Sequence, residues 1–286
     1  MAVRTELCQF PTADGGTLHG LLFSPEDATG RADLVALTVH GVSGSFYRGF
    51  LPRLAQDLAG HGQPVMTMNT RGHDWVAPGI GAQLWGAAHE KLEDSLLDLD
   101  GALAFLAGRG FRRFVLIGHS LGGVKVVYYQ GTRQRADIAG VATFSAPKIY
   151  YPARGEREPD TFRLLAEAEA MIEAERGDDY LKDTARVGIF TPGTYINKYG
   201  NHGRSDVRPH AGRLGCPLLS TAGSLETPDF AEHAREMAAA AGAGQGAAHV
   251  VEGADHYYTG HLDDLLGLTE PWLERVASSA VGSGGR

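Results

Sequence analysis

Cysteine is scarce: 286 residues hold only Cys8 and Cys216. They lie far apart, each in an apolar, strand-like run, and read as two buried thiols rather than one disulfide. No Cys/His grouping has zinc spacing, so neither a metal nor another cofactor is expected. Long apolar runs are absent too; none approaches the roughly 20 residues that span a membrane as a helix. Positive charge is in deficit. A formal net charge of -8 argues against nucleic acid and anionic membranes as partners. The first residues, Met1 to Glu6, include an acid and lead into no long apolar core, so no signal peptide is expected. These absences point to a cytoplasmic, reducing location; a small-molecule substrate is expected as partner, and a monomer or homodimer as assembly.

What is present begins with Val115-Leu116-Ile117-Gly118-His119-Ser120-Leu121-Gly122-Gly123. Four apolar residues run into Gly-x-Ser-x-Gly, and Leu121, Val124 and Tyr128 follow at helical spacing. That pattern predicts a buried strand, a tight turn with Ser120 at its apex, and a helix. Gly118 and Gly122 stand two residues either side of the serine, where a side chain would clash as strand folds back into helix. The hydroxyl is left exposed at a helix N-terminus, whose amides favour developing negative charge.

Around this stretch the chain alternates. Val3–Phe10 and Thr17–Phe23 read as a hairpin across Asp14-Gly15-Gly16. Pro25–Arg31 is a polar connector. Leu34–Val39 is a continuous apolar strand, ending in the small-residue loop His40-Gly41-Val42-Ser43-Gly44-Ser45. A helix carries Phe50, Leu51, Leu54 and Leu58; Pro64–Met68 is a strand; residues 75–88 look irregular. A helix from about Glu90 to Ala107 has leucines on one face, with Glu93, Asp94, Asp98 and Asp100 expected outward. After the serine turn, Ile138–Phe144 forms a strand ending at Ser145-Ala146-Pro147. The fold class expected is α/β, a mostly parallel sheet between helices.

The rhythm breaks over residues 148–213, which are polar, Tyr-rich and show one helix capped by Asp160; they read as an inserted cap. The core is then 1–147 plus 214–278. Strands Pro217–Thr221 and Ala248–Val251 complete the sheet, with a helix opened by Thr227-Pro228 between them. A last helix capped by Thr269 precedes a flexible tail, 279–286.

A serine hydroxyl needs a base, and parallel sheets carry functional loops at the carboxyl ends of their strands. His256, just after the last strand, fits best; His233, His249 and His261 sit on strands or helices. An imidazole base needs a carboxylate to fix its tautomer. The loop after the penultimate strand offers Glu226, favoured, and Asp229, which the helix dipole alone explains. Asp255 adjoins His256 and reads as structural. Backbone N–H groups of Val42 and Leu121 are candidate oxyanion donors. His40 is expected to pack beneath its loop, and Arg71, His73 and Asp74 to brace theirs.

These motifs, Gly118-His119-Ser120-Leu121-Gly122, His40-Gly41, Arg71-Gly72-His73, Glu226 in its loop and Gly253-Ala254-Asp255-His256, together resemble the α/β-hydrolase superfamily in its Ser…acid…His order. The resemblance covers residues 1 to 278 and implies eight strands with a cap inserted after the sixth. It departs from the commonest pattern in having a glutamate as the acid and Asp74 after Arg-Gly-His. The activity expected is hydrolysis of a carboxylic ester, lactone or thioester through an acyl-enzyme on Ser120. Two alternatives stand beside it: C–C cleavage, lyase or cyclisation chemistry on an aromatic or polyketide-like intermediate, and a non-enzymatic receptor. For the former, Tyr150, Tyr151, Tyr195, Tyr199, Tyr257 and Tyr258 are candidates to line a pocket.

Overall fold

The computed structural model describes residues 1–26, 33–182, 188–242 and 244–279. Two strands, β1 (Val3–Pro11) and β2 (Thr17–Pro25), form the expected antiparallel hairpin. There follow β3 (Leu34–Val39), α1 (Leu51–Gly60) and β4 (Val65–Met68). The stretch that looked irregular contains a small antiparallel pair, β5 (Ala77–Pro78) with β6 (Leu84–Trp85). Then come α2 (Asp94–Gly108), β7 (Arg113–His119), α3 (Leu121–Arg133) and β8 (Ile138–Phe144). Among the described residues, four helices, α4 (Ala153–Arg157), α5 (Asp160–Glu173), α6 (Pro192–Tyr199) and α7 (Arg208–Ala211), separate β8 from β9 (Leu218–Gly223). The chain closes with α8 (Pro228–Ala240), β10 (Gly246–Val251) and α9 (Leu262–Ser279).

Eight strands form one sheet in the order β1-β2-β4-β3-β7-β8-β9-β10, parallel from β4 onward. Its fold class is the one the alternation predicts. The continuous apolar run of β3 is explained by its two covered faces. Val35, Leu37 and Val39 pack on one side with residues of α2 and α3; Leu34 and Ala36 pack on the other with α1 and α9. This two-sided burial anchors the strand ends, where the loops of interest begin.

Four local readings need correction. Helix α2 starts at Asp94, not Glu90: the chain before it closes in tighter turns, with Asp94 N–H donating to Lys91 O and Ser95 N–H to Leu92 O, both at 3.2 Å, and the Asp94 carboxylate accepts from Lys91 N–H at 3.0 Å. Asp98 does not face outward: it is fully buried against Arg71. Asp160 is the first residue of α5 rather than its cap, which is Pro159. Thr269 lies inside α9, two residues before the interior Pro271, its hydroxyl donating to Leu265 O at 2.7 Å. That helix also takes in Ser278 and Ser279; residues 280–286 of the expected tail, and 27–31 of the polar connector, lie outside the described residues. Cys8 and Cys216 are both free and buried.

The α4–α7 segment has more helix than its polarity suggested. Thr191-Pro192 opens α6 with the same threonine-proline signature as Thr227-Pro228, and Thr191 Oγ1 accepts from Thr194 N–H at 3.4 Å. Asn197 fastens it to the core, accepting from Leu92 N–H and donating to Glu93, both at 2.8 Å. Lys198 joins it more deeply, meeting Glu90 Oε2 at 3.2 Å. Lys125 of α3 pairs with the same carboxylate. All three are at most 2% exposed. Flanked by two ammonium groups, the Glu90 carboxyl is held down to about 2 despite its burial.

Candidate active site

Ser120 stands at the carboxyl end of β7, His40 at that of β3, Glu226 after β9 and His256 after β10. The parallel run of these strands gathers residues scattered over 200 positions at one end of the sheet. Ser120 has φ 55° and ψ −126°, the positive φ a serine adopts only when its surroundings impose it. What imposes it is close packing: a Cβ on Gly122 would lie 2.1 Å from Val39 O, so only glycine lets α3 begin this near β3. Gly41 makes the second close approach, since a Cβ there would meet Ser120 Cβ at 2.8 Å.

A cleft of about 280 Å³ lies over this edge, lined by Gly41, Val42, Phe50, Ser120, His256 and Tyr257 among others. His256 and Glu226 meet directly, Nδ1 to Oε1 at 2.6 Å, with the carboxylate nearly buried and the imidazole half-buried. Between Ser120 Oγ and the His256 ring there is no hydrogen bond within 3.5 Å, although both face the cleft. Such contacts commonly close only when substrate arrives. The backbone of His256 is gripped as well: its carbonyl accepts from His119 Nε2–H at 2.8 Å. Burial and the neighbouring His256 hold the His119 imidazole down at about 3, neutral at physiological pH.

The other acids and histidines are committed elsewhere. Asp229 pairs with Arg157 at 3.0 Å. Asp255 accepts from the N–H groups of Tyr257 and Thr259, shaping the turn that carries His256. His261 pairs with Asp264, His233 is buried on α8, and His249 is exposed on β10.

Beneath the cleft, His40 Nδ1–H donates to Gly41 O at 2.7 Å while Nε2 accepts from Thr70 N–H at 3.1 Å. Burial and the Lys125 charge hold this imidazole at about 3. It packs beneath its loop, as expected. Arg71 braces the loop after β4 by bonding Asp98 and, with both terminal nitrogens, Asp14 at 3.0 and 3.1 Å. His73 and Asp74 pair beside it at 2.8 Å.

Sequence reasoning missed the residues behind the glutamate. Glu226 Oε2 accepts from Ser145 Oγ at 2.6 Å and from Gly223 N–H at 2.7 Å. Ser145 ends β8 as Ser120 ends β7, so the same strand-end rule would have found it. Tyr258 is no pocket liner: it is 1% exposed, its hydroxyl 3.0 Å from Ser145 Oγ and 2.7 Å from Thr221 Oγ1. Tyr195 and Tyr199 pack on each other within α6, and Tyr150 lies under Arg208. Of the six tyrosines, Tyr257 alone lines the Ser120 cleft.

A sequence profile of the alpha/beta hydrolase family matches residues 36–265, most of the chain and every residue of this site. The chain belongs to the alpha/beta hydrolase family. Among curated proteins no sequence match was found. In fold the hydrolase is similar to alpha/beta hydrolase GrgF from Penicillium sp. sh18, at TM-score 0.71 and 15% identity, covering 96% of this chain and 99% of that one. It is similar to Est1E from Butyrivibrio proteoclasticus, at TM-score 0.68 and 16% identity, covering 95% and 100%. A soluble variant of monoglyceride lipase from Saccharomyces cerevisiae gives 0.68 and 13%, covering 94% of each chain. Among the described residues of the hydrolase, no helix is long and apolar enough to cross a membrane, and no group of three or more His, Cys, Asp or Glu side chains is arranged to hold a metal.

Proposed function

We propose that this hydrolase cleaves a carboxylic ester, lactone or thioester of a small organic substrate through an acyl-enzyme on Ser120. The observation that carries the reading is the 2.6 Å bond from His256 Nδ1 to Glu226 Oε1, at the cleft that Ser120 enters from its strained turn. That bond places the His256 proton on Nδ1 and leaves Nε2 free to accept one. Nε2 takes the Ser120 hydroxyl proton as Oγ attacks the substrate carbonyl. The imidazolium then returns that proton to the leaving group as the carbonyl–leaving-group bond breaks. Water repeats the sequence on the acyl-enzyme: His256 takes its proton, the hydroxyl adds, Ser120 leaves with the proton, and the acid is released.

The oxyanion of each tetrahedral intermediate falls to the N–H groups of Val42 and Leu121. Across a planar trans peptide, C=O and N–H point in opposite directions. The His40 bond to Gly41 O therefore turns the Val42 N–H away from His40, and Val42 lines the same cleft as Ser120. Leu121 opens α3, so its N–H is one that the helix itself leaves unpaired. Two donors of this kind supply charge stabilisation that needs no reorganisation during the reaction. The yeast neighbour is a monoglyceride lipase and Est1E was seen with ferulic acid bound, both in keeping with ester chemistry.

Steady-state and burst kinetics on a panel of p-nitrophenyl esters test the proposal. Ester turnover with a stoichiometric burst, lost in Ser120→Ala, is the expected result. Turnover that survives the substitution would overturn it, and release of a C–C cleavage or elimination product without hydrolysis would point to lyase chemistry on the same scaffold.

A further inference from the structure

The geometry points to Ser145, Tyr258 and Thr221 as positioning residues that hold the Glu226 carboxylate aimed at His256 through a one-way chain of hydrogen bonds. The inference rests on the proposed triad and adds the parts behind its acid.

The direction of the chain follows from counting protons. An ionised carboxylate only accepts. Ser145 has one hydroxyl proton, and at 2.6 Å from Glu226 Oε2 it goes to the carboxylate. The 3.0 Å contact between Ser145 Oγ and Tyr258 OH must then be a donation from the tyrosine. With that proton committed, the 2.7 Å contact between Tyr258 OH and Thr221 Oγ1 must be a donation from the threonine. The polarity therefore runs Thr221 to Tyr258 to Ser145 to Glu226, and each hydroxyl is polarised by the one before it. Glu226 Oε2 is filled by Ser145 and Gly223 N–H, leaving Oε1 for the His256 proton.

Three further observations separate this chain from incidental core contacts. Thr221, Ser145 and Tyr258 are at most 1% exposed, so water does not substitute for a missing partner. Ser145 and Tyr258 both stand at positive φ, 51° and 53°, a conformation non-glycine residues adopt when the surroundings over-determine it. The Tyr258 ring is wedged between Phe50 and Phe144, at centroid separations of 5.5 and 6.3 Å, which fixes where its hydroxyl points. Burial also pushes the Tyr258 phenol well above its ordinary range, so it stays a donor wherever the enzyme works.

The members of the chain come from three strand ends: β8 gives Ser145, β9 gives Thr221 and the loop after β10 gives Tyr258. Its role is to set how strongly Glu226 attracts the imidazolium. With donors removed, the same negative charge is less dispersed and binds protonated His256 more tightly. The acid limb of the kcat/KM profile then moves to higher pH, while the looser carboxylate slows proton transfer.

The test is kinetics of Tyr258→Phe, Ser145→Ala and Thr221→Val on a p-nitrophenyl ester, normalised to sites titrated with a fluorophosphonate so that any misfolded fraction drops out. Tyr258→Phe keeps the wedged ring and removes one oxygen, so it carries the test should Ser145→Ala fail to fold. The expected result for Ser145→Ala is a kcat lower by about tenfold to a hundredfold with KM little changed. Tyr258→Phe and Thr221→Val show smaller losses in that order, each with the acid limb displaced upward. Thr221→Ser recovers most of what Thr221→Val loses. An acid limb unmoved in both Ser145→Ala and Tyr258→Phe overturns the inference, whether or not kcat falls. Glu226→Gln run alongside keeps the two claims apart. If it is as active as wild type the triad reading fails; if it is crippled while the chain variants behave as wild type, only the positioning chain fails.

Discussion

Ser120 and His256 are legible as candidate residues because their placement is written in local sequence. A strand, a glycine-flanked serine and a helix determine one turn, and a histidine just after the last strand has one place to go. Glu226 is favoured over Asp229 from its position in the loop; in the structure Asp229 pairs with Arg157, while three donors converge on Glu226. This convergence makes a specific prediction. Glutamine at 226 has one acceptor oxygen and one donor nitrogen, so it must turn its NH2 toward a donor whichever way it flips. Glu226→Gln is expected to lower kcat by about a thousandfold or more with KM little affected, measured in steady state. A loss of less than about tenfold would place the functional carboxylate elsewhere.

Among elements, the sheet was readable and the helices after β8 were less so. Apolar runs such as Leu34–Val39 report two-sided burial directly, whereas α4, α6 and α7 span only 5, 8 and 4 residues, too short for a periodic face to show. Long-range charge was the other blind spot. Asp98 sits in a leucine-rich helix at an outward-looking position, and nothing nearby in sequence says that Arg71 waits for it. Lys125, Glu90 and Lys198 come from three separate segments, and no spacing rule links them. Their arrangement has a measurable consequence. Glu90→Gln strands two ammonium groups in the core and is expected to cost about 3–5 kcal/mol, which is roughly 5–8 °C of melting temperature for a chain of this size. An unchanged melting temperature would mean the lysines are not held by Glu90. Replacing all three by apolar residues of similar volume should restore much of the loss.

For the molecule as a whole, buried histidines set the response to acid. His40 and His119 are held at about 3 and His233 at about 4 by burial, far below an unfolded histidine at 6.5. Between these values the unfolded chain takes up protons that the folded chain refuses, so stability rises with pH across the window and is lost on acidification. Asp98 works oppositely: burial raises its carboxyl to about 7 from 3.8, so near pH 5 the folded state holds a proton that the unfolded state has released. Three protons against one leave about two in favour of unfolding, or roughly 3 kcal/mol per pH unit around pH 5. Below pH 4.5 the loss steepens as unfolded Glu90 protonates while the folded carboxylate holds out to about 2. Thermal melts at pH 5, 6 and 7 should show a falling midpoint toward acid; a flat midpoint would contradict the neutral, buried state of these imidazoles.

Whether Ser120 is an activated nucleophile is decided by intact-mass analysis after treatment with a fluorophosphonate. One adduct per wild-type chain is expected, mapped by peptide sequencing to Ser120, and none on folded Ser120→Ala. A folded wild-type protein that gains no adduct, or one that gains it at another residue, would mean that Ser120 is not the nucleophile.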